Sequence, residues 1–153
     1  MKCPCNSEKP FSVCCEPYLT NKLKAENAEV LMRSRYTAYH QKHISYLVDT
    51  QHKSTHSEHI AEEIQAFADQ AKFIKLTVIK HEVISLAQQR VEFEARYIIE
   101  NTLFTMREIS NFTMENNLWY YLDGQLNSKE TKLSKNAVCP CGKGKKYKRC
   151  CIV

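Results

Sequence analysis

The hydrophobic pattern changes period once along the chain. Over residues 25–48, Ala28, Leu31, Met32, Arg35, Tyr36, Tyr39, Ile44, Leu47 and Val48 recur at spacings near three and four, with no proline or glycine to interrupt them. That is the period of one helix face, so a single long helix is expected, with Tyr36 and Tyr39 packed in the core. A polar stretch around 50–57 follows. Ile60, Ile64, Phe67, Ala68 and Ala71 then mark the buried side of a second helix over 58–71, with Ser57 as its expected cap. From Phe73 onward the period drops to two. Residues 75–84 are rich in β-branched side chains, and 90–99 alternates cleanly. Val91, Phe93, Ala95, Tyr97 and Ile99 fall on one face, with Arg90, Glu92, Glu94 and Arg96 on the other. Residues 102–114 and 118–122 read as third and fourth strands, joined by the turn chemistry of Glu115-Asn116-Asn117 and ended by Asp123-Gly124. Links this short join antiparallel neighbours. Helices before strands give an α+β class, the long helix covering one face of a curved meander of about four strands.

The two ends obey neither period. Residues 3–15 read CPCNSEKPFSVCC and residues 139–151 read CPCGKGKKYKRCC, and these two copies of one spacing hold all eight cysteines. Four thiolates so arranged can close a tetrahedral shell around Zn²⁺. A disulfide framework is the rival for an even cysteine count. Against it, no apolar leader follows Met1, cysteines adjacent in sequence cannot easily face each other, and a reducing cytosol keeps thiols free. Two zinc sites are therefore expected, one on Cys3, Cys5, Cys14 and Cys15, the other on Cys139, Cys141, Cys150 and Cys151. His40, His43, His52, His56 and His59 cluster in sequence, but no acid or cysteine completes a convincing ligand set there, so no further metal site is expected.

Length and charge sharpen this picture. The 153 residues allow one modest domain with small appendages, and no apolar run is long enough to span a membrane. The net charge of +5 arises from 22 basic and 17 acidic residues. Lys143, Lys145, Lys146, Lys148 and Arg149 lie inside the second cysteine copy, which has no acid, so that module carries the equivalent of the whole excess. Gly142 and Gly144 let its backbone turn tightly around sulfur. The first copy has Asn6 and Glu8 there and Lys9 as its one internal base, which suits a structural clip better than a contact surface. No phosphate-binding G-x-x-x-x-G-K-[ST] loop is present, and no motif names a nucleophile.

The run CPCGKGKKYKRCC resembles the SEC-C motif, whose usual form is CPCGSGKKYKxC followed by His or Cys. That zinc module ends the SecA preprotein translocase ATPase, where it contacts the export chaperone SecB and the ribosome. The resemblance implies zinc on Cys139, Cys141, Cys150 and Cys151. It also implies an acidic partner, either a protein surface such as an export chaperone or the ribosome and its RNA. The order of long helix, short helix and meander resembles the NTF2-like cone. AEVLMRSRYTAY and REISNFTMENNLWYYLDG are similar to the ALMRSRYSAY and ExSxFxxxxGxWxYxDG stretches of the YchJ-like family of small bacterial proteins, in which SEC-C modules flank an NTF2-like centre. That family's HPSTR stretch is here His52-Lys53-Ser54-Thr55-His56.

The expected division is a zinc module at 1–17, the cone at 18–126, a polar linker at 127–138 and a second zinc module at 139–153. The expected function is that of a cytoplasmic zinc-binding protein that docks through its basic C-terminal module. The alternative is a small-molecule-binding or hydratase/isomerase-like enzyme working in the cone, and binding is preferred to catalysis. Arg33, Arg35, Tyr36, His81, Glu94, Arg96, Arg107 and Trp119 are the candidate polar residues for that pocket. Tyr147, flanked by Lys146, Lys148 and Arg149, offers a thin platform for stacking nucleic-acid bases.

Overall fold

The computed structural model describes residues 1–152. Helices come first: α1 (Glu16–Leu19), α2 (Ala28–Gln41), α3 (Ile44–Asp49) and α4 (Ile60–Gln70). Four strands follow: β1 (Lys72–Ser85), β2 (Gln88–Ile99), β3 (Thr102–Glu115) and β4 (Leu118–Lys132). They form one antiparallel sheet in the order β1-β2-β3-β4, so the chain has the expected α+β class. Glu100-Asn101 and Asn116-Asn117 link the last three strands with both central residues at positive φ, the geometry that matches strand twist in a two-residue hairpin. The alternation of β2 decides which face is covered. Val91, Phe93, Ala95 and Tyr97 are buried, while Glu92, Glu94 and Arg96 on the opposite face remain partly exposed. Leu31, Met32 and Tyr36 of α2, Leu47 of α3 and Ile64 of α4 close over that face in one core with Phe112 and Trp119.

Three elements differ from expectation. The helix expected over 25–48 is two helices. Lys42 turns left-handed at φ 61, His43 N–H donates to Ala38 O at 2.8 Å, and Lys42 N–H donates to Tyr39 O at 3.3 Å. This pair of bonds ends α2 before α3 begins. At the other end Asn27 starts α2, its side chain accepting from Val30 N–H. The second helix begins at Ile60 after His59, so Ser57 is not its cap. The largest difference is in β4. Asp123-Gly124 does not end it. Residues 127–132, expected as linker, continue the strand, pairing Asn127 with Arg107 and Lys132 with Thr102. Leu133 N–H then donates to Asn101 O at 2.8 Å, which carries the chain onto the β2–β3 hairpin.

Candidate metal centres and cone cavity

The two cysteine repeats fold alike. In the first, Lys2 bridges to Pro10 and Cys3 N–H donates to Lys9 O at 2.9 Å; in the second, Val138 bridges to Lys146 and Cys139 N–H donates to Lys145 O at 2.8 Å. A 3₁₀ turn follows in each, Phe11–Val13 and Tyr147–Arg149. In each cluster all four sulfurs lie within 4.8 Å of one another. Cys5 and Cys14 sulfurs are 3.6 Å apart, Cys14 and Cys15 4.0 Å, and Cys141 and Cys150 3.3 Å. A tetrahedral site with metal–sulfur bonds of about 2.3 Å has sulfur–sulfur edges of about 3.8 Å, against about 2.0 Å in a disulfide. All eight cysteines are free, so the donor set fits a tetrahedral thiophilic metal.

Proton affinities point the same way. Hydrogen bonding from Cys15 pulls the Cys5 thiol down to about 4, while burial pushes Cys14 up to about 11. At the other end burial pushes Cys151 up to about 12. Burial also opposes ionisation of Cys139, but the backbone of Cys141 and the thiol of Cys151 outweigh it and bring Cys139 to about 7. Each cluster thus holds one sulfur towards thiolate through its neighbours' hydrogens, the place a cation takes on binding.

The clusters differ in how they meet the body. Gly142 and Gly144 are left-handed at φ 82 and 75, and their counterparts Asn6 and Glu8 adopt the same turn at φ 62 and 67 without glycine's freedom. Asn6 uses its side chain, whose Oδ1 accepts from Leu76 N–H on β1 at 2.8 Å. Arg33 of α2 donates to Cys5 O at 2.9 Å, and Thr37 donates to Cys15 Sγ at 3.3 Å. Cys3, Cys5 and Cys15 are buried within the main core. The second cluster rests on a smaller one, in which Cys139 and Tyr147 pack with Ile98 and Leu103. Tyr147 is 2% exposed and its hydroxyl donates to Asn101 Oδ1 at 2.7 Å, so it anchors the module and is no base-stacking platform. Around it Lys143, Lys145, Lys146, Lys148 and Arg149 are all exposed, and among the described residues none of them forms an ion pair. Four of them, Lys145, Lys146, Lys148 and Arg149, border one surface depression.

A cavity of about 370 Å³ lies between the helices and the covered face of the sheet. Rings of Tyr36, Phe67, Phe73 and Tyr97 form much of its wall, with centroids 5.2 to 5.9 Å apart. Its polar lining includes Arg35, Gln51, Glu108, Ser110 and Tyr121. Arg35 Nη1 donates to Leu47 O at 2.8 Å and to Thr50 Oγ1 at 2.7 Å, and the guanidinium lies 4.9 Å from the Tyr121 ring centroid. Ser110 Oγ donates to one Glu108 oxygen, and Tyr121 O–H donates to the other at 3.5 Å. Burial pushes the Glu108 carboxyl above the ordinary range, against those hydrogen bonds and the Arg35 charge. A Cβ at position 124 would sit 2.8 Å from Glu108 Cδ, so Gly124 is there to leave room for a buried carboxyl, not to end a strand.

A family model described as YchJ, middle NTF2-like domain, matches residues 27–124. The chain belongs to the YchJ family. A UPF0225 protein of Pectobacterium carotovorum subsp. carotovorum is 38% identical, covering 97% of this chain and 96% of the relative. A UPF0225 protein of Geobacter sulfurreducens is 37% identical over the same shares. Among solved structures, a SEC-C motif containing protein from Rhodopseudomonas palustris matches at TM-score 0.76 and 30% identity, covering 82% of this chain and 98% of that one. A SEC-C motif containing protein from Psychrobacter arcticus matches at TM-score 0.71 and 27% identity, covering 99% and 95%. The NTF2-like centre and terminal cysteine modules expected from the resemblance are therefore those of the YchJ family.

In this YchJ-family cone, two of the eight expected polar candidates, Arg35 and Tyr36, line the cavity. Arg33 is engaged with Glu29 and Cys5 O, and His81 with Gln89 at 2.7 Å. Glu94 and Arg96 lie on the opposite sheet face, where Arg107 pairs with Glu92. Trp119 Nε1 donates to Glu26 O at 3.2 Å. Glu108, Ser110 and Tyr121 were missed. Their signal was available: Glu108 and Ser110 share the alternation of Met106 and Phe112, so β3 places two polar side chains on an apolar face. The His52–His56 stretch is a strap. His52 N–H donates to Tyr121 O at 2.8 Å, its ring bonds Ser54 and Glu115, and His56 bonds Gln51 O at 2.8 Å.

Proposed function

We propose that this protein binds two zinc ions and uses its C-terminal SEC-C module as a fixed, basic docking knob for an acidic surface in the cytoplasm. The carrying observation is the division of labour inside residues 139–151. Tyr147 turns inward to Asn101, while the five cations around it point to solvent without ion-pair partners among the described residues. Exposed lysines held on a rigid module keep their charge available to a partner, and the backbone that carries them loses little freedom on binding. With the one aromatic buried, recognition falls to charge alone. That chemistry suits protein carboxylates, as on an export chaperone, or the phosphates of ribosomal RNA.

The test is co-sedimentation with ribosomes, and pull-down with an acidic export chaperone, over a salt series. Wild-type binding should weaken steeply with salt, and most steeply against RNA, because each neutralised phosphate releases a counterion. Replacing Lys145, Lys146 and Lys148 by Ala should remove most of the binding and most of its salt slope. Binding that survives both treatments would overturn the docking role. Metal analysis of the purified chain should find two zinc ions, one per cluster.

A further inference from the structure

The cone cavity carries an uncompensated buried charge. Arg35 is 6% exposed, and a guanidinium keeps its proton at any pH a protein meets. A buried cation is ordinarily paired. Arg35 forms no ion pair among the described residues, even though Glu108 borders the same cavity. The Glu108 carboxyl lies beyond ion-pair distance of Arg35, its two oxygens taken up by Ser110 and Tyr121.

The donors of Arg35 divide unequally. Nη1 makes both of its hydrogen bonds, to Leu47 O and Thr50 Oγ1, which fix the guanidinium across the α2–α3 junction. Among the described residues, neither Nε nor Nη2 donates to a protein acceptor. No side-chain nitrogen or oxygen sealed from solvent is left without a partner among those residues, so the free edge of the guanidinium meets open space. For a residue that lines the cavity, that space is the cavity. The Tyr121 ring lies against the guanidinium, and the Tyr121 hydroxyl donates to the Glu108 carboxyl in the same cavity. The wall is aromatic. A pocket of this volume, mostly apolar with a few polar groups at one place, is of the kind that holds small molecules.

We propose that the cone cavity binds a small organic monoanion, an aromatic or aliphatic carboxylate, whose charged end takes the free edge of Arg35 and whose apolar body lies among Tyr36, Phe67, Phe73 and Tyr97. The pairing follows from geometry, since a carboxylate accepts two parallel N–H bonds from one guanidinium edge. An amine, which the aromatic wall alone would also suit, would bring a second positive charge beside Arg35. A neutral amide of the same shape fills the wall but leaves the buried cation unpaired.

The experiment uses the full, metal-loaded chain and three probes of matched shape: phenylacetate, phenylacetamide and phenethylamine, with octanoate as an aliphatic carboxylate. Titration calorimetry and ligand-observed NMR should show phenylacetate and octanoate binding about tenfold or more tighter than the amide, with the amine weakest. Arg35→Gln should remove the preference for the carboxylate. Should that variant fail to fold, Ala95→Phe fills the cavity from β2 while retaining Arg35 itself, and it should abolish carboxylate binding. Carboxylates that bind no better than the amide or amine, or that bind equally well to Ala95→Phe, would overturn the assignment. Failure of the chain to bind either carboxylate at millimolar concentration would do the same. None of these outcomes bears on the docking role of residues 139–151.

Discussion

At the scale of single residues, Glu8 and Glu108 each hold a conformation or environment that their chemistry resists. Glu8 is left-handed at φ 67 where its counterpart is Gly144. A left-handed non-glycine residue costs about 1–2 kcal/mol, and the exposed Lys2 partner returns little of it. Glu8→Gly should therefore stabilise the metal-loaded chain by about 0.5–1 kcal/mol, the gain being trimmed by glycine's greater freedom when unfolded. Urea unfolding checks this, and a loss of stability would show that the Lys2 contact outweighs the strain. Asn6 does not share this expectation, because its side chain holds Leu76 N–H. Glu108 gives a pH-dependent case. The groups that face it are Ser110, Tyr121, Arg35 and Asp123, and burial dominates, so its folded affinity for a proton is raised. Its stabilising contribution is complete below the unfolded carboxylate range and is lost as pH rises through the folded value. Unfolding free energies of wild type and Glu108→Gln, compared between about pH 4 and pH 8, should show the wild type losing ground to the variant as pH rises. Parallel curves would mean that Glu108 binds its proton no more tightly in the fold than in the unfolded chain.

At the scale of elements, what the sequence disclosed depended on whether burial wrote a period into it. β2 is covered on one face only, so its alternation was legible, and the cysteine repeat was legible because one spacing, written twice, brings four sulfurs together at each end. The break after α2 was not, because the left-handed position is held by Lys42, not by glycine or asparagine, and the closing bonds are backbone to backbone. The second half of β4 was hidden for the opposite reason. It is an edge strand whose residues from Gln125 onward are exposed, so nothing selects an apolar face, and its charges suit an unpaired edge. Gly124 misled most directly, since a glycine after aspartate reads as a turn until the carboxyl of Glu108 is seen against it. This strand interior yields a prediction. Gly124→Ala should cost about 1–3 kcal/mol by overpacking, and Glu108→Ala in the same chain should recover much of that loss. Additive losses in the double-mutant cycle would show that the two positions do not share the space.

At the scale of the whole molecule, two modules of the same fold do different mechanical work. Cys3, Cys5 and Cys15 are part of the main core and bond to Arg33 and Thr37 on the same helix that carries Arg35 and Tyr36 to the cavity. Cys139 belongs to a satellite core on Ile98 and Leu103, at the hairpin end of β2 and β3. Metal binding free energy becomes folding free energy for whatever the ligands are packed against, so the loss of each metal should be felt in a different place. Cys5→Ser should destabilise the cone itself by about 2–5 kcal/mol, with faster amide hydrogen exchange along α2. Cys141→Ser should leave the cone's unfolding midpoint close to wild type, speed exchange around Asn101 and Tyr147, and weaken the proposed salt-sensitive docking by loosening the basic module. Both variants should retain one metal per chain. Equal loss of cone stability in the two would show that the modules are coupled through the sheet, and the C-terminal one would then be a structural part of the cone as well as its proposed contact surface.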